Sequence, residues 1–164
     1  MSPAARGESG PPPDARELLT RTALGVFRLN GHFITASERI AADGGLTAAS
    51  WQVLGAVARE ARTVSDLARS MGLARQSVQR TADLLVERGF AAYEPNPAHR
   101  RAKLLVAADG GRAALRLLDP GHAALAARLA DALGPAEFAE TARVLERLGA
   151  VMTELTDLTE AEQG

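Results

Sequence analysis

Cysteine is absent from the 164-residue sequence, which excludes disulfides, Cys-ligated zinc, iron–sulfur clusters and thiol redox chemistry. The sequence also lacks an apolar run of the ~18 residues that a membrane span needs, and its first residues contain no apolar signal-peptide core. Lysine occurs once, at Lys103, beside 18 arginines. These absences favour a cytoplasmic protein without a membrane partner, and the length favours about one domain with a real core.

Signals of catalysis are missing as well. The three histidines, His32, His99 and His122, are scattered along the chain without metal-ligand spacing. No glycine loop that cradles phosphate and no nucleophile elbow is present. We therefore expect no enzyme, no metal site and no cofactor.

Charge is unevenly distributed, although the net charge is only −1. The segment from Arg59 to Lys103 contains nine basic and five acidic residues, whereas the rest of the chain contains 10 basic and 15 acidic residues. This separation is a better indication of an anionic partner than the net charge. A surface that only faces solvent would show the same charge pattern, so the choice between these two interpretations depends on the sequence motifs.

The sequence predicts a disordered tail followed by a long helix. Residues 1–13 are small, polar and proline-rich and have no apolar periodicity. Asp14 is a suitable N-cap, with Glu17 three positions later. An apolar helical pattern then continues to about Ala42, where Asp43-Gly44-Gly45 ends it.

The central segment has the element order of a winged helix-turn-helix. Thr47 and Thr63 are predicted N-caps of two successive helices. A turn that contains Gly72 separates the second of them from a helix of about Arg75 to Arg88. Two short strands then form a hairpin around a basic turn; the strands lie at 90–94 and 103–106 and the turn at 96–101.

The last third of the chain is predicted to be helical. Pro120-Gly121 is expected to kink or interrupt the first helix of this part, and Gly134-Pro135 is a strong break before the final helix. The first and final helices have apolar stripes that a small central domain cannot cover. We therefore expect two copies of the chain to pair through these helices.

Four ordered motifs fill the region from Leu46 to Asp109. They are Leu46-Thr47 with Trp51-Gln52-Val53-Leu54; Val64-Ser65-Asp66-Leu67-Ala68 with Met71-Gly72-Leu73; Arg75-Gln76-Ser77-Val78-Gln79-Arg80 with Asp83-Leu84-Leu85 and Glu87-Arg88-Gly89-Phe90; and Asn96-Pro97-Ala98-His99-Arg100-Arg101-Ala102. This ordered set resembles the MarR family of bacterial transcriptional regulators. In element order alone, the resemblance extends from Ala15 to Leu158.

The sequence departs from the pattern of that family in three places. His99 stands where the family's wing usually has Asp, two residues before its final arginine, so the usual Asp–Arg pairing is absent or replaced. Ala74 replaces a Ser that often caps the recognition helix, at a cost of about 1 kcal/mol. Val106-Ala107 replaces the Leu-Thr that commonly follows the wing.

The resemblance implies a mainly α fold with a small β-hairpin wing, in which a winged helix-turn-helix domain is flanked by N- and C-terminal dimerisation helices. The expected parts are a disordered tail at 1–13, an N-terminal dimerisation helix at 14–44, the DNA-binding domain at 46–107 and C-terminal dimerisation helices at 108–160. The implied function is a homodimeric transcriptional regulator, a repressor responding to a small ligand, that binds double-stranded DNA at a pseudo-palindromic operator.

Ten side chains are the predicted DNA contacts. Arginine and glutamine on the second helix of the motif suit guanine and adenine in the major groove, hydroxyls can donate to phosphates, and cationic wing residues suit a narrow minor groove. The set is Ser65, Arg75, Gln76, Ser77, Gln79, Arg80, Thr81, His99, Arg100 and Arg101. The alternative is a winged-helix dimer that serves as a protein-interaction module without sequence-specific DNA binding.

A second candidate site lies between the first helix and the motif. Members of the family commonly bind small aromatic or lipophilic acids there, and the resemblance implies a ligand contact for Phe27, Arg28, His32, Phe33 and Trp51. Arg28 would pair with an acidic group. Aromatic residues at helical spacing are more often plain core, and that alternative stays open.

Overall fold

A computed structural model describes residues 14–162, with side chains described through residue 156, and the predicted tail at 1–13 lies outside these residues. The described part contains six α-helices, a short 3-10 turn and three β-strands. The helices are α1 (Ala15–Ala41), α2 (Ala48–Arg59), α3 (Val64–Met71), α4 (Arg75–Glu87), α5 (Asp109–Leu133) and α6 (Pro135–Glu162), and the 3-10 turn is Ala42–Gly44. The strands are β1 (Arg62–Thr63), β2 (Ala91–Glu94) and β3 (Leu104–Ala107).

Threonine side chains begin two helices where the sequence predicts them. The Thr47 hydroxyl accepts a hydrogen bond from the backbone N–H of Ser50 at 3.1 Å, and the Thr63 hydroxyl accepts one from that of Asp66 at 3.1 Å. Each bond saturates an N–H that has no partner inside its helix. α4 begins after Ala74 without a side-chain cap, as expected.

The helix-turn-helix is built on one apolar cluster. Gly72 ends α3 with φ +62°, a conformation that glycine adopts without strain, and α4 begins three residues later. The largest fully buried side chains are leucines from α2, α3, α4, β3 and α5, namely Leu54, Leu67, Leu85, Leu105 and Leu118. This cluster fixes α4 and the wing relative to each other, and the predicted mainly α winged-helix fold is confirmed.

The predicted two-stranded wing is part of a three-stranded antiparallel sheet with the strand order β1-β3-β2. In β1, Arg62 pairs with Leu105 and Thr63 pairs with Leu104. Two residues are too few to leave an alternating pattern in a sequence, so the sequence did not reveal this strand. Because Thr63 also caps α3, the sheet joins the wing directly to the start of the helix-turn-helix.

The sequence predicts a kink or an interruption of the helix at Pro120-Gly121. The predicted interruption is wrong, because α5 is one helix with Pro120 inside it. Proline removes the N–H that would bond to the carbonyl of Arg116. The helix is closely packed on both sides of this point: Leu118 is buried, and a Cβ at Gly121 would lie 3.3 Å from Ile40 of α1. The predicted break at Gly134-Pro135 is confirmed, with Gly134 at φ +78°.

α1 and α6 add little to the core. Ala41 is the one buried residue of α1, and none of the described side chains of α6 is buried. Both helices expose large apolar side chains: Leu18, Leu19, Leu24, Val26, Phe27, Leu29, Phe33 and Ile34 on α1, and Val144, Leu145, Val151, Met152 and Leu155 on α6. Across the described part of the chain, no helix is both long and apolar enough to cross a membrane.

Candidate nucleic-acid interface

A concave groove with a volume of about 280 Å³ lies where α3, α4 and the wing meet, and we call it the α4–wing groove. Its cationic side chains are Arg75 from the start of α4 and Arg101 and Lys103 from the wing. No acidic residue is among those that line it in the described chain: Thr63, Val64, Ser65, Arg75, Gln79, Tyr93, Arg101, Ala102 and Lys103. The groove therefore favours an anionic group.

The pattern of α4 explains how it presents its polar side chains to this groove. Val78, Ala82 and Leu85 are buried against the core, as the sequence predicts. Arg75 is exposed and Gln79 is half-buried on another side of the same helix. A short helix that is anchored by one apolar stripe can thus hold a polar face toward a partner.

The groove brings together four of the ten predicted DNA contacts, namely Ser65, Arg75, Gln79 and Arg101. Gln76, Ser77 and Arg80 are exposed on α4 outside the residues that line it. The Thr81 hydroxyl donates to the carbonyl of Ser77 at 3.1 Å, so its proton is used within the helix. In this rotamer, Thr81 offers only lone pairs to a partner.

The turn of the wing is held by local polar contacts. The side-chain oxygen of Asn96 accepts a hydrogen bond from the backbone N–H of Ala98 at 3.0 Å, and the N–H of Ala102 donates to the carbonyl of His99 at 3.1 Å. Arg100 and Arg101 are exposed, and neither forms an ion pair within the described residues. Both guanidinium groups are free for an external anion.

His99 is placed away from the α4–wing groove. It lines a neighbouring depression of about 500 Å³ between the wing and the β1–α3 segment. Glu60 and Asp66 also line this depression. Arg62 lines it too and forms an ion pair with Glu60 at 3.0 Å, so this depression has charges of both signs, whereas the α4–wing groove has cationic side chains without a lining carboxylate.

Three polar side chains connect α4 to the wing in a closed triangle. Nε2 of Gln79 donates to Oδ1 of Asp83 at 2.9 Å and to the hydroxyl of Tyr93 at 2.8 Å. The Tyr93 hydroxyl donates to the same Asp83 oxygen at 2.8 Å. Burial, followed by this bond to the carboxylate, raises the pKa of Tyr93 to about 12, so the phenol keeps its proton in neutral solution.

Tyr93, Asp83 and Lys103 were missed as site residues in the sequence. The spacing of Gln79 and Asp83, four positions apart on one helix, is a usable signal. The contact with Tyr93 spans 14 positions from Gln79 and joins a strand to a helix, so it becomes visible only with the fold in hand.

The five predicted ligand contacts do not meet in one cavity of a single chain. Phe33 and Trp51 line an apolar cavity of about 200 Å³. Arg28 and His32 line a different depression on α1. Phe27 lines neither cavity and is 73% exposed.

The cavity at Trp51 contains a histidine that the sequence did not single out for this site. The ring of His122 on α5 lies edge-on to that of Trp51, with 5.6 Å between the centroids. Its other lining residues are Ser37, Ile40, Leu125, Ala126, Leu129 and Phe138. The described residues contain no group of three His, Asp or Glu side chains placed to hold a metal ion.

Comparison with known proteins identifies relatives of this architecture. A family model described as MarR family matches residues 44–102. The uncharacterized protein Rv2011c of Mycobacterium tuberculosis is 39% identical over 130 residues, which cover 79% of this chain and 91% of that protein.

Two of the solved structures that share the fold contain a bound partner. The M. tuberculosis transcriptional regulator MOSR in complex with DNA is 22% identical, with a TM-score of 0.69 over 81% of this chain and 96% of that one. CouR from Rhodococcus jostii, bound to p-coumaroyl-CoA, is 25% identical, with a TM-score of 0.63 over 79% and 90% of the two chains.

Proposed function

We propose that this chain, which belongs to the MarR family of transcription regulators, is a homodimer that binds a pseudo-palindromic operator in double-stranded DNA. The observation that carries the proposal is the α4–wing groove, where Arg75, Arg101 and Lys103 face a concave surface without a lining carboxylate. The structure of MOSR in complex with DNA supports a DNA partner. The family is one of transcription regulators and not of enzymes.

In the proposed complex, α4 enters the major groove and the wing reaches the adjacent minor groove. Arg75 and Gln79 lie at the side of α4 that lines the α4–wing groove, and Arg101 lies at the wing. A two-fold dimer presents two such surfaces, so its half-sites should lie about one helical turn, ~10 base pairs, apart.

Selection of bound fragments from genomic DNA at a defined salt concentration tests this function. We expect enrichment of fragments with two inverted half-sites at that spacing. Uniform binding to all fragments, or no binding, would contradict the proposal. It would favour the alternative, a winged-helix dimer that recognises proteins.

The first prediction concerns the dimer. We expect sedimentation at low micromolar concentration to give twice the chain mass of 17.2 kDa, because pairing would cover the exposed apolar side chains of α1 and α6. Phe27→Glu should shift the protein toward the monomer without unfolding it. The Phe27 ring is 73% exposed, so its removal leaves no cavity in the chain itself.

A matched control for that prediction is Leu84→Glu. Leu84 is also an exposed apolar residue of a helix, at 42%, but it lies on α4 in the winged-helix domain. We expect this variant to remain dimeric. A folded wild-type monomer at micromolar concentration would show that the dimer proposal is wrong.

We further propose that the protein is a repressor whose DNA affinity falls when a small aromatic or lipophilic ligand binds. The apolar cavity at Phe33, Trp51 and His122 supports this role, and CouR is known bound to p-coumaroyl-CoA. Such a ligand acts only through different affinities for the two states of the dimer. A reporter driven by the selected operator, with and without candidate aromatic acids, tests both parts.

The second prediction separates the two arginines of the wing. Arg101→Ala should weaken operator binding several-fold, since Arg101 lines the α4–wing groove. It should also lower the log–log salt slope by about 0.9 for each phosphate that the variant no longer neutralises. Arg100→Ala should have a smaller effect, because Arg100 is not among the residues that line the groove. Binding isotherms across a salt series measure both variants.

Melting temperatures complete this comparison. Both side chains are exposed, so neither substitution disturbs the buried core and both variants should melt within a few degrees of the wild type. Wild-type affinity in the Arg101 variant would contradict the assignment of the wing to DNA.

A further inference from the structure

We propose that Asp83 and Tyr93 position the amide of Gln79 so that it offers DNA a hydrogen-bond acceptor. Gln79 then selects a base with an exocyclic amino group in the major groove. This inference rests on the proposed DNA-binding function and adds the chemistry that α4 reads at one base.

The carboxylate of Asp83 determines which end of the Gln79 amide faces it. An ionised carboxylate only accepts hydrogen bonds, so the amide must turn its NH₂ group toward Asp83. The Tyr93 hydroxyl gives its own proton to the same oxygen and therefore accepts from Gln79. Both hydrogen bonds of this amide leave from Nε2, and within the described residues its Oε1 has no partner.

This arrangement changes the base that Gln79 is expected to recognise. Bidentate pairing of glutamine with adenine uses the amide oxygen and an amide N–H together, to N6 and N7. An amide held by its nitrogen presents the oxygen alone, and the major-groove donors are N6 of adenine and N4 of cytosine. The expected preference is therefore adenine or cytosine over guanine or thymine, which present O6 and O4 as acceptors.

The position of Tyr93 shows that these three hydrogen bonds lie at the proposed DNA interface. Tyr93 lies on β2, so its bond to Gln79 joins the wing sheet to α4 directly. Tyr93 and Gln79 are half-buried and both line the α4–wing groove. Gln76, on the same helix, is exposed and its amide has no hydrogen bond within the described residues, so it offers an internal comparison.

The experiment is selection from a random DNA library with the wild type and with Gln79→Ala, Tyr93→Phe and Gln76→Ala. One position of each half-site should lose its preference in Gln79→Ala, and in the wild type that position should favour adenine or cytosine by roughly two- to tenfold. Tyr93→Phe should shift the same position toward adenine over cytosine, because Asp83 still holds one Nε2 hydrogen of Gln79 and the other becomes available to N7 of adenine. Its melting temperature should stay close to that of the wild type. Gln76→Ala should leave this position unchanged.

Where adenine is selected, modified bases show whether Gln79 forms one hydrogen bond or two to that base. 7-Deazaadenine keeps the amino group and lacks N7, so it should bind the wild type as adenine does. Purine lacks the amino group and should weaken binding as much as Gln79→Ala does.

Three results would overturn the inference while leaving the proposed function intact. They are a preference for guanine or thymine, a fall in affinity with 7-deazaadenine, and a Tyr93→Phe variant with unchanged preference at this position. A wild type that enriches no sequence would overturn the proposed function, and this inference with it.

Discussion

Gly111→Ala is expected to lower the free energy of unfolding by about 3 kcal/mol. Gly111 is a buried residue in the first turn of α5. A Cβ atom there would overlap the carbonyl oxygen of Phe90 and would lie 2.9 Å from Cδ1 of Leu54. The Phe90 carbonyl cannot turn away cheaply, because it also accepts the N–H of Ala108 at 3.0 Å.

The measurement is urea denaturation at one fixed protein concentration, since dimerisation would make stability depend on concentration. Gly55→Ala is the matched control, because Gly55 lies inside α2 and a Cβ there would meet nothing within 4 Å. The control should be as stable as the wild type or more stable, by up to about 1 kcal/mol, through helix propensity. Equal stability of the Gly111 variant and the wild type would show that α5 can shift away from Phe90.

Much of the fold was predictable because the chain marks its helix ends locally. Thr47 and Thr63 form their expected caps, and Gly72 and Gly134 end their helices with positive φ. These signals need only a few neighbouring residues, so a sequence reveals them. The continuity of α5 through Pro120 was not predictable, because it depends on packing against α1 from residues far away in sequence.

The charged residues of the candidate DNA site were predictable from the sequence, but the hydrogen bonds between α4 and the wing were not. Arg75 and Arg101 were identified by residue type and by their place in the motif, and both line the α4–wing groove. Tyr93 has no local signal that relates it to Gln79 or Asp83, since it reaches them only when β2 packs beside α4. Sequence periodicity indicates secondary structure and does not reveal tertiary contacts between individual residues.

The separation of the predicted ligand residues follows from helix geometry. Arg28 and His32 are four positions apart, so they share one face of α1. Phe33 follows His32 directly and points about 100° away around the helix axis, toward the face that includes Ser37 and Ile40. Phe33 therefore lines the cavity at Trp51, whereas Arg28 and His32 line a different surface.

Arg75→Ala is expected to cost about 1–3 kcal/mol of binding free energy at the selected operator, a loss of about five- to 150-fold in affinity. Arg75 is the first residue of α4, is exposed and lines the α4–wing groove. An arginine at the leading end of a helix that enters the major groove is placed for the bidentate bond to guanine. Because no buried group loses a partner, the fold should be unaffected.

Binding isotherms on the operator and on random DNA decide what Arg75 contacts. Arg116→Ala is the charge-matched control, because Arg116 is exposed on α5 and does not line the groove. A base contact predicts a large loss on the operator, a small loss on random DNA and relaxed preference at one guanine. Equal losses on both DNAs would show that Arg75 touches only phosphate, and a loss no larger than that of the Arg116 variant would show that α4 does not enter DNA at this end.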